Sequence, residues 1–131
     1  MTKNKLPHLP AAELEVMQAV WQLSPPVATP EIKQKLEQNR PWHSSALQTL
    51  LNRLIDRGFL ESKKQGKCRY YQPLISESDY LATESKQFLN RLHGNSIIHL
   101  VSTLYDQQDL DETDLAELAA FLESKRQQFK K

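Results

Sequence analysis

The sequence predicts a mainly α-helical chain with one antiparallel hairpin set among the helices, and three observations carry that prediction. Apolar residues recur at helical spacing over most of the 131 residues. Between Phe59 and Pro73 the period switches to two, with Tyr70 and Tyr71 in the alternating stretch. From Ser76 onward the pattern is helical again and contains a single glycine.

The first helix is expected to start at Leu9-Pro10, because proline suits the first turn, where its missing N–H matters least. Leu14, Met17, Val20 and Trp21 supply its buried stripe, with Val16 beside it. It should stop before Ser24-Pro25-Pro26, since the residue before a proline avoids the helical region. Residues 1–8 are polar and expected to fray. Val27-Ala28 reads as a short extended piece. Thr29-Pro30-Glu31 then reads as a helix start with threonine as cap, proline in the first position and an acid in the first turn. Ile32 and Leu36 anchor this second helix, which ends near Asn39-Arg40-Pro41.

The stretch from Trp42 to Gly58 is the most informative. Leu47, Leu50, Leu51, Leu54 and Ile55 make a stripe that a helix buries against a core, with Ser44 or His43 as cap. Ser45, Gln48, Thr49, Asn52, Arg53 and Asp56 repeat at the same spacing on the other side. An ordinary solvated face is usually rich in lysine and glutamate. This face carries hydroxyls, amides and a guanidinium, groups that can hydrogen-bond to base edges in a DNA groove. Ser44, Ser45, Gln48, Thr49, Asn52 and Arg53 are therefore the candidate base-reading residues, with a plain exposed face as the alternative.

Gly58 closes the helix and Phe59 folds back on its end. Phe59 to Lys64 and Lys67 to Gln72 follow as a hairpin around Gln65-Gly66, with Lys63, Lys64, Lys67 and Arg69 at its tip and no acid among them. These four cations, with Lys33 and Arg40 on the flank, are candidates for phosphate contact, which supplies salt-dependent affinity. Helix, short strand, helix, helix and hairpin is the order of a winged helix-turn-helix. The domains expected are a winged helix-turn-helix over residues 1–75 and a helical segment over 76–131.

In that second segment Ser76 caps a helix with Glu77 and Asp79 in its first turn, and Gly94-Asn95 breaks it. Ser96 to Tyr105 is short and apolar on most sides. Asp111 opens the last helix, with Leu110 and Leu115 placed to staple across the cap. The segment has too little of itself to cover a helix that is apolar nearly all round. The expectation is a homodimer with interlocking C-terminal helices, through Phe88, Leu89, Leu92, Ile97, Ile98, Val101, Leu104, Tyr105, Leu115, Leu118 and Leu122. Two reading heads on a two-fold axis would suit a palindromic duplex site.

Charge agrees with this division. Residues 1–75 carry 11 Lys and Arg against 6 Asp and Glu, a balance of +5, whereas residues 76–131 carry 6 against 10, a balance of −4. An anionic partner is expected for the front half. The sole cysteine, Cys68, cannot form an internal disulfide and is expected to be a small packing residue in the hairpin. Neither a signal peptide nor an apolar run of the roughly 20 residues a membrane helix needs is seen, so a soluble cytoplasmic protein is expected. With only three glycines the chain has no GxGxxG motif and no P-loop. No serine or cysteine nucleophile has a recognisable companion, and His93 and His99 stand six apart across a glycine break, not at the spacing that places two ligands on one helix face. No enzyme, cofactor or metal site is therefore expected. A winged-helix protein–protein module, and a repressor sensing a small molecule or metal directly, are the alternatives.

Glu13-Leu14-Glu15-Val16-Met17 with Trp21, then Trp42, Thr49-Leu50-Leu51-Asn52-Arg53-Leu54, Arg57-Gly58-Phe59-Leu60 and Tyr70-Tyr71 resemble the penicillinase-repressor (BlaI/MecI) family, which includes the copper-responsive CopY repressors. The resemblance runs from about Leu9 to Leu122. It implies a winged-helix transcriptional repressor, dimeric through three C-terminal helices, that silences genes by occupying operators. It also implies a sensor protease as partner, since β-lactam-responsive members are cut at an Asn-Phe bond; the matching bond here is Thr103-Leu104. Those members carry lysine and threonine early in the recognition helix where this chain has Ser45 and Ala46, and an arginine where it has Gln48, while Thr49 and Arg53 match. A different operator sequence, or weaker affinity, follows. The C-terminal cysteine cluster of CopY-type members has no counterpart here.

Overall fold

The computed structural model describes residues 6–129. The chain forms two compact units that divide between Ser85 and Lys86.

In the first unit, α1 (Ala11–Gln22) follows Pro10 and buries Glu13, Val16, Met17, Ala19 and Val20. The buried stripe is thus turned from the expected one: Leu14 and Trp21 are half-buried at its edge. Trp21 lies there because its indole N–H donates to the Ile75 carbonyl at 3.0 Å, while its ring stands 5.8 Å from that of Tyr80. Just before α1 the chain is held by contacts to Tyr80 and Glu84, including one at His8, the last residue expected to fray. Leu9 is buried and its N–H donates to the Tyr80 hydroxyl at 2.9 Å. His8 meets Glu84 at 2.6 Å, and the Tyr80 hydroxyl donates to the same carboxylate. Residues 1–5, also expected to fray, lie outside the described residues.

The strand β1 (Val27–Ala28) leads straight into α2 (Thr29–Leu36), so the cap falls on Ala28 and not on Thr29. Sheet pairing is the reason. Val27 and Ala28 pair with Tyr71 and Tyr70, which holds the backbone extended up to the first helical residue. Glu31 then accepts the Ala28 N–H at 2.8 Å, closing the first turn from three residues downstream. The third helix, α3 (Ser44–Asp56), has His43 at its cap position with no side-chain hydrogen bond, and buries Leu47, Leu51 and Leu54. Leu50 and Ile55 pack at the margin of the same core.

The end of α3 is a Schellman motif: the Gly58 N–H donates to the Ile55 carbonyl at 3.0 Å and the Phe59 N–H to the Leu54 carbonyl at 2.9 Å. This needs a left-handed residue, and Gly58 takes a φ of 85°. Phe59 is thereby turned into the core, its ring edge-on to Tyr80 at 5.6 Å. β2 (Leu60–Gln65) and β3 (Cys68–Pro73) pair antiparallel with Gln65 opposite Cys68, so the turn is Gly66-Lys67, one residue later than expected. The sheet order is β1-β3-β2. This is a winged helix-turn-helix.

α4 (Glu77–His93) starts where the sequence changes texture, with the Asp79 N–H donating to the Ser76 hydroxyl at 3.1 Å. Its first turns nevertheless belong to the first unit, because Tyr80 and Thr83 are buried there. The second unit continues α4 past Gly94 and Asn95, which adopt φ values of 55° and 65°, into α5 (Ile97–Asp106) and α6 (Glu112–Phe129). The start of α6 is closed reciprocally: the Asp114 N–H donates to the Asp111 carboxylate at 2.8 Å, and the Asp111 N–H to that of Asp114 at 3.0 Å. No described residue from Lys86 onward is buried.

Candidate nucleic-acid interface

With Leu47, Leu51 and Leu54 turned inward, α3 presents the opposite stripe outward: Ser44, Ser45, Thr49, Asn52 and Arg53 are exposed and Gln48 is half-buried. Several of these side chains are held in place. The Thr49 hydroxyl donates to the Ser45 carbonyl at 3.0 Å, and the Gln48 amide N–H donates to the Asn52 side-chain oxygen at 3.0 Å and to the Tyr71 hydroxyl at 3.3 Å. Tyr71 is itself a fully buried residue of β3. Arg53 is exposed and has no acidic partner among the described residues, so its guanidinium is open to an acceptor from outside.

Two glutamates of α1 fix the ends of this helix. Glu13, only 3% exposed at its side chain, meets Arg57 just past the C-terminus at 2.6 Å. Glu15 takes both Nε and Nη2 of Arg40, at 3.2 and 2.9 Å, four residues before the helix begins. The hydrogen bonds to Glu15 raise the Arg40 pKa above its usual value. Arg40 also lies over the Trp42 ring at 4.2 Å. Lys33 is paired with Glu37 at 3.4 Å. Of the two flanking cations expected at phosphate, each already has a carboxylate.

The wing is different. Lys63, Lys64 and Lys67 are exposed with no acidic partner among the described residues, and Arg69 donates to the Ser62 hydroxyl at 2.9 Å. Lys64 and Arg69 stand directly opposite each other across the two strands. Like charges so placed oppose hairpin stability, and an anion between them relieves the repulsion. Because side chains alternate along a strand, Lys64 and Arg69 share the face of Ser62 and Tyr71, and Tyr71 reaches Gln48 on α3. Lys63 lies on the other face with Glu61 and Tyr70.

The penicillinase repressor family profile matches residues 9–124. The chain belongs to the penicillinase repressor family. This is a family of transcriptional repressors, not of enzymes. The penicillinase repressor of Bacillus licheniformis is 35% identical over 120 residues, covering 92% of this chain and 93% of that protein. The methicillin resistance regulatory protein MecI of Mammaliicoccus sciuri is 30% identical over 122 residues, 93% of this chain and 98% of that one. Among solved structures, the DNA-binding domain of the repressor BlaI is 41% identical with a TM-score of 0.51, covering 58% of this chain and 92% of that domain.

Two of the blocks that suggested the penicillinase repressor family from sequence are joined in space by the Glu13–Arg57 pair. Glu13 and Glu15, from the first block, hold Arg57 and Arg40 on either side of α3. Sequence reasoning had assigned neither glutamate a role and had given Arg40 to phosphate. The signal available was an acidic pair on a helix otherwise carrying the core stripe. Tyr71 as the support of Gln48 was also missed, since only the sheet register reveals it.

In the C-terminal unit the residues expected to pair between chains are uncovered. Ile98 is 76% exposed, Ile97 61%, and Phe88, Leu92, Leu104, Tyr105 and Leu122 are also exposed. Leu89, Val101, Leu115 and Leu118 are half-buried. Cys68 is exposed, correcting the expectation of a packing role: it shares the outward face of β3 with Tyr70, beyond the last core residue of the strand. Contrary to the sequence spacing, His93 and His99 meet, with Nδ1 atoms 2.7 Å apart, because the left-handed Gly94-Asn95 turn folds the start of α5 back on the end of α4.

Proposed function

We propose that this chain represses transcription as a homodimer seated on a palindromic operator, with α3 in the major groove and the wing on the phosphate backbone. Membership of the penicillinase repressor family supports the coarse reading, a DNA-binding repressor. The observation that carries the finer one is the outward Gln48, Asn52 and Arg53 face, tied by the Gln48 hydrogen bond to the buried Tyr71, the residue two along β3 from Arg69 on the strand face that also bears Lys64. Arg53 suits guanine, and the Gln48–Asn52 pair offers the amide groups that read adenine. Ser44, Ser45 and Thr49 lie toward the N-terminal end of the helix, where they would contact bases or the adjacent phosphates. Lys63 and Lys67 add to the field of the wing.

The case for two copies rests on the C-terminal unit, which buries no described residue while exposing Ile97, Ile98 and Tyr105 by more than half. A second chain would cover these side chains and bring two reading helices to half-sites about 34–36 Å apart, or a multiple of that. Cytoplasmic residence fits a DNA partner, and no described helix is long and apolar enough to cross a membrane. The sensor-protease reading has less support. Thr103-Leu104 lies inside α5, with the Thr103 hydroxyl donating to the His99 carbonyl at 2.8 Å, and not in an exposed loop of the kind proteases prefer.

Gel-shift titration on the upstream region of the chain's own gene tests the proposal. Arg53→Ala should cost ~1–3 kcal/mol and relax preference at one base position, whereas Lys64→Ala should weaken binding to all sequences and lower the salt slope by about 1. Equal affinity for that region and for random duplex would overturn it.

A further inference from the structure

We infer that His93 and His99 form an open binding site for a borderline-soft divalent transition-metal ion, of which Zn²⁺ is the usable probe. The two Nδ1 atoms point at one another at 2.7 Å with the ring centroids 4.9 Å apart. Two unprotonated ring nitrogens repel at that distance, so the free protein holds one proton between them, donated by one imidazole and accepted by the other. A metal ion at ~2.0–2.1 Å from each nitrogen in a tetrahedral site needs the pair to open to about 3.3 Å. The rings can make that small adjustment, since His99 is exposed and His93 half-buried. The donating ring shifts its proton to Nε2 through solvent, which frees both Nδ1 lone pairs for the ion without net loss of a proton.

The surroundings already hold the pair together. Gly94 and Asn95 are both left-handed, and the Ser96 N–H donates to the His93 carbonyl at 2.9 Å. The Ser96 hydroxyl in turn accepts the His99 N–H at 3.0 Å, capping α5. The ring of Phe88 packs 5.4 Å from that of His93. Little ordering entropy therefore remains to be lost on binding. Among the described residues no group of three or more His, Cys, Asp or Glu side chains converges, so this is not a closed structural site. Water completes the coordination, and the ion exchanges freely. The site clamps the joint between α4 and α5, and it stands independently of the DNA reading.

The test is titration of the full chain with Zn²⁺ against a chromophoric chelator, accompanied by ¹⁵N spectra of the imidazoles. Expected are saturable uptake of one ion per chain, tighter uptake of Cu²⁺ than of Zn²⁺, none of Mg²⁺, and shifts at both Nδ1 atoms. His93→Gln and His99→Gln should each weaken uptake at least tenfold, while His8→Gln and Cys68→Ser leave it unchanged. Uptake no greater than that of the double His93→Gln/His99→Gln variant would overturn the inference. So would loss of uptake in His8→Gln or Cys68→Ser, or one ion per two chains.

Discussion

Removing Arg57 should harm the protein more than neutralising the glutamate it pairs with, and the second change should partly repair the first. The Glu13 side chain is 3% exposed and that of Arg57 36%, with 2.6 Å between Oε1 and Nε. In Arg57→Ala a carboxylate is left in the core with no counter-charge. Breaking a buried pair costs about 3–5 kcal/mol, and partial access of water through the space left by the guanidinium lowers this to about 2–4. Glu13→Gln keeps the volume and one hydrogen bond to an arginine that water already reaches, so it should cost about 1 kcal/mol. In the Arg57→Ala background the same Glu13→Gln change removes the stranded charge and should restore about 1–2 kcal/mol. The sign of one substitution thus reverses with its neighbour. Urea unfolding followed by the fluorescence of Trp21 and Trp42, both in the first unit, reads all four proteins of the cycle. If Glu13→Gln destabilises equally in both backgrounds, the pair is not the electrostatic clamp described here.

Other outcomes follow from single contacts. Gly58→Ala should cost ~1–2 kcal/mol in the same assay purely from its φ of 85°, because no atom lies within 4 Å of the added methyl group. Tyr80→Phe leaves the Leu9 N–H without its acceptor and should cost ~1–2 kcal/mol at neutral pH. Burial of the ring, then its hydrogen bond to Glu84, pushes the Tyr80 pKa up to about 12 from 10.0. The folded state thus favours the neutral phenol, so its contribution is complete below pH 10 and is lost as the pH rises toward 12; an alkaline stability profile should show this fall in the wild type and not in Tyr80→Phe. Ile98→Glu, at a position 76% exposed within one chain, should leave the first unit's unfolding unchanged yet yield monomers in sedimentation; a retained dimer would remove this face from the proposed interface.

Most of the fold was legible because its signals are local. The Schellman glycine at Gly58, the Asp111 cap, the Ser76 cap and the alternation around Tyr70-Tyr71 each depend on residues within one turn or one strand. Errors arose where a distant partner decides. Trp21 reads as core by periodicity but is drawn to the margin by the Ile75 carbonyl, 54 residues away in sequence. Ala28 takes the cap from Thr29 because β3 pairs with it. His93 and His99 fail the single-helix spacing rule and meet only because a turn with two left-handed residues reverses the chain. In the candidate site, the list of polar side chains on α3 was readable from the 3.6-residue period. Which cations on the flank are free was not, since the Glu15–Arg40 contact spans 25 residues.

That last distinction bears on how the surface would meet a duplex. A count of basic residues treats Lys33, Arg40, Lys63, Lys64, Lys67 and Arg69 as equivalent, but the fold sorts them. Arg40 and Lys33 already face carboxylates, so an approaching phosphate would have to compete with Glu15 and Glu37. Lys64 and Arg69 repel one another and sit on the strand face whose next inward residue, Tyr71, hydrogen-bonds Gln48. Part of the charge that is uncompensated in the free protein, that of Lys64 and Arg69, thus lies on the strand face whose Tyr71 meets the helix that presents amides and a guanidinium. The register of β2 on β3 fixes this arrangement: a shift of one residue would carry Lys64 to the opposite face and bring Lys63 to the α3 side. Tyr71 contributes to both requirements, filling the core with its ring and fixing the Gln48 amide with its hydroxyl, so one buried residue ties the register of the wing strand to the reading helix.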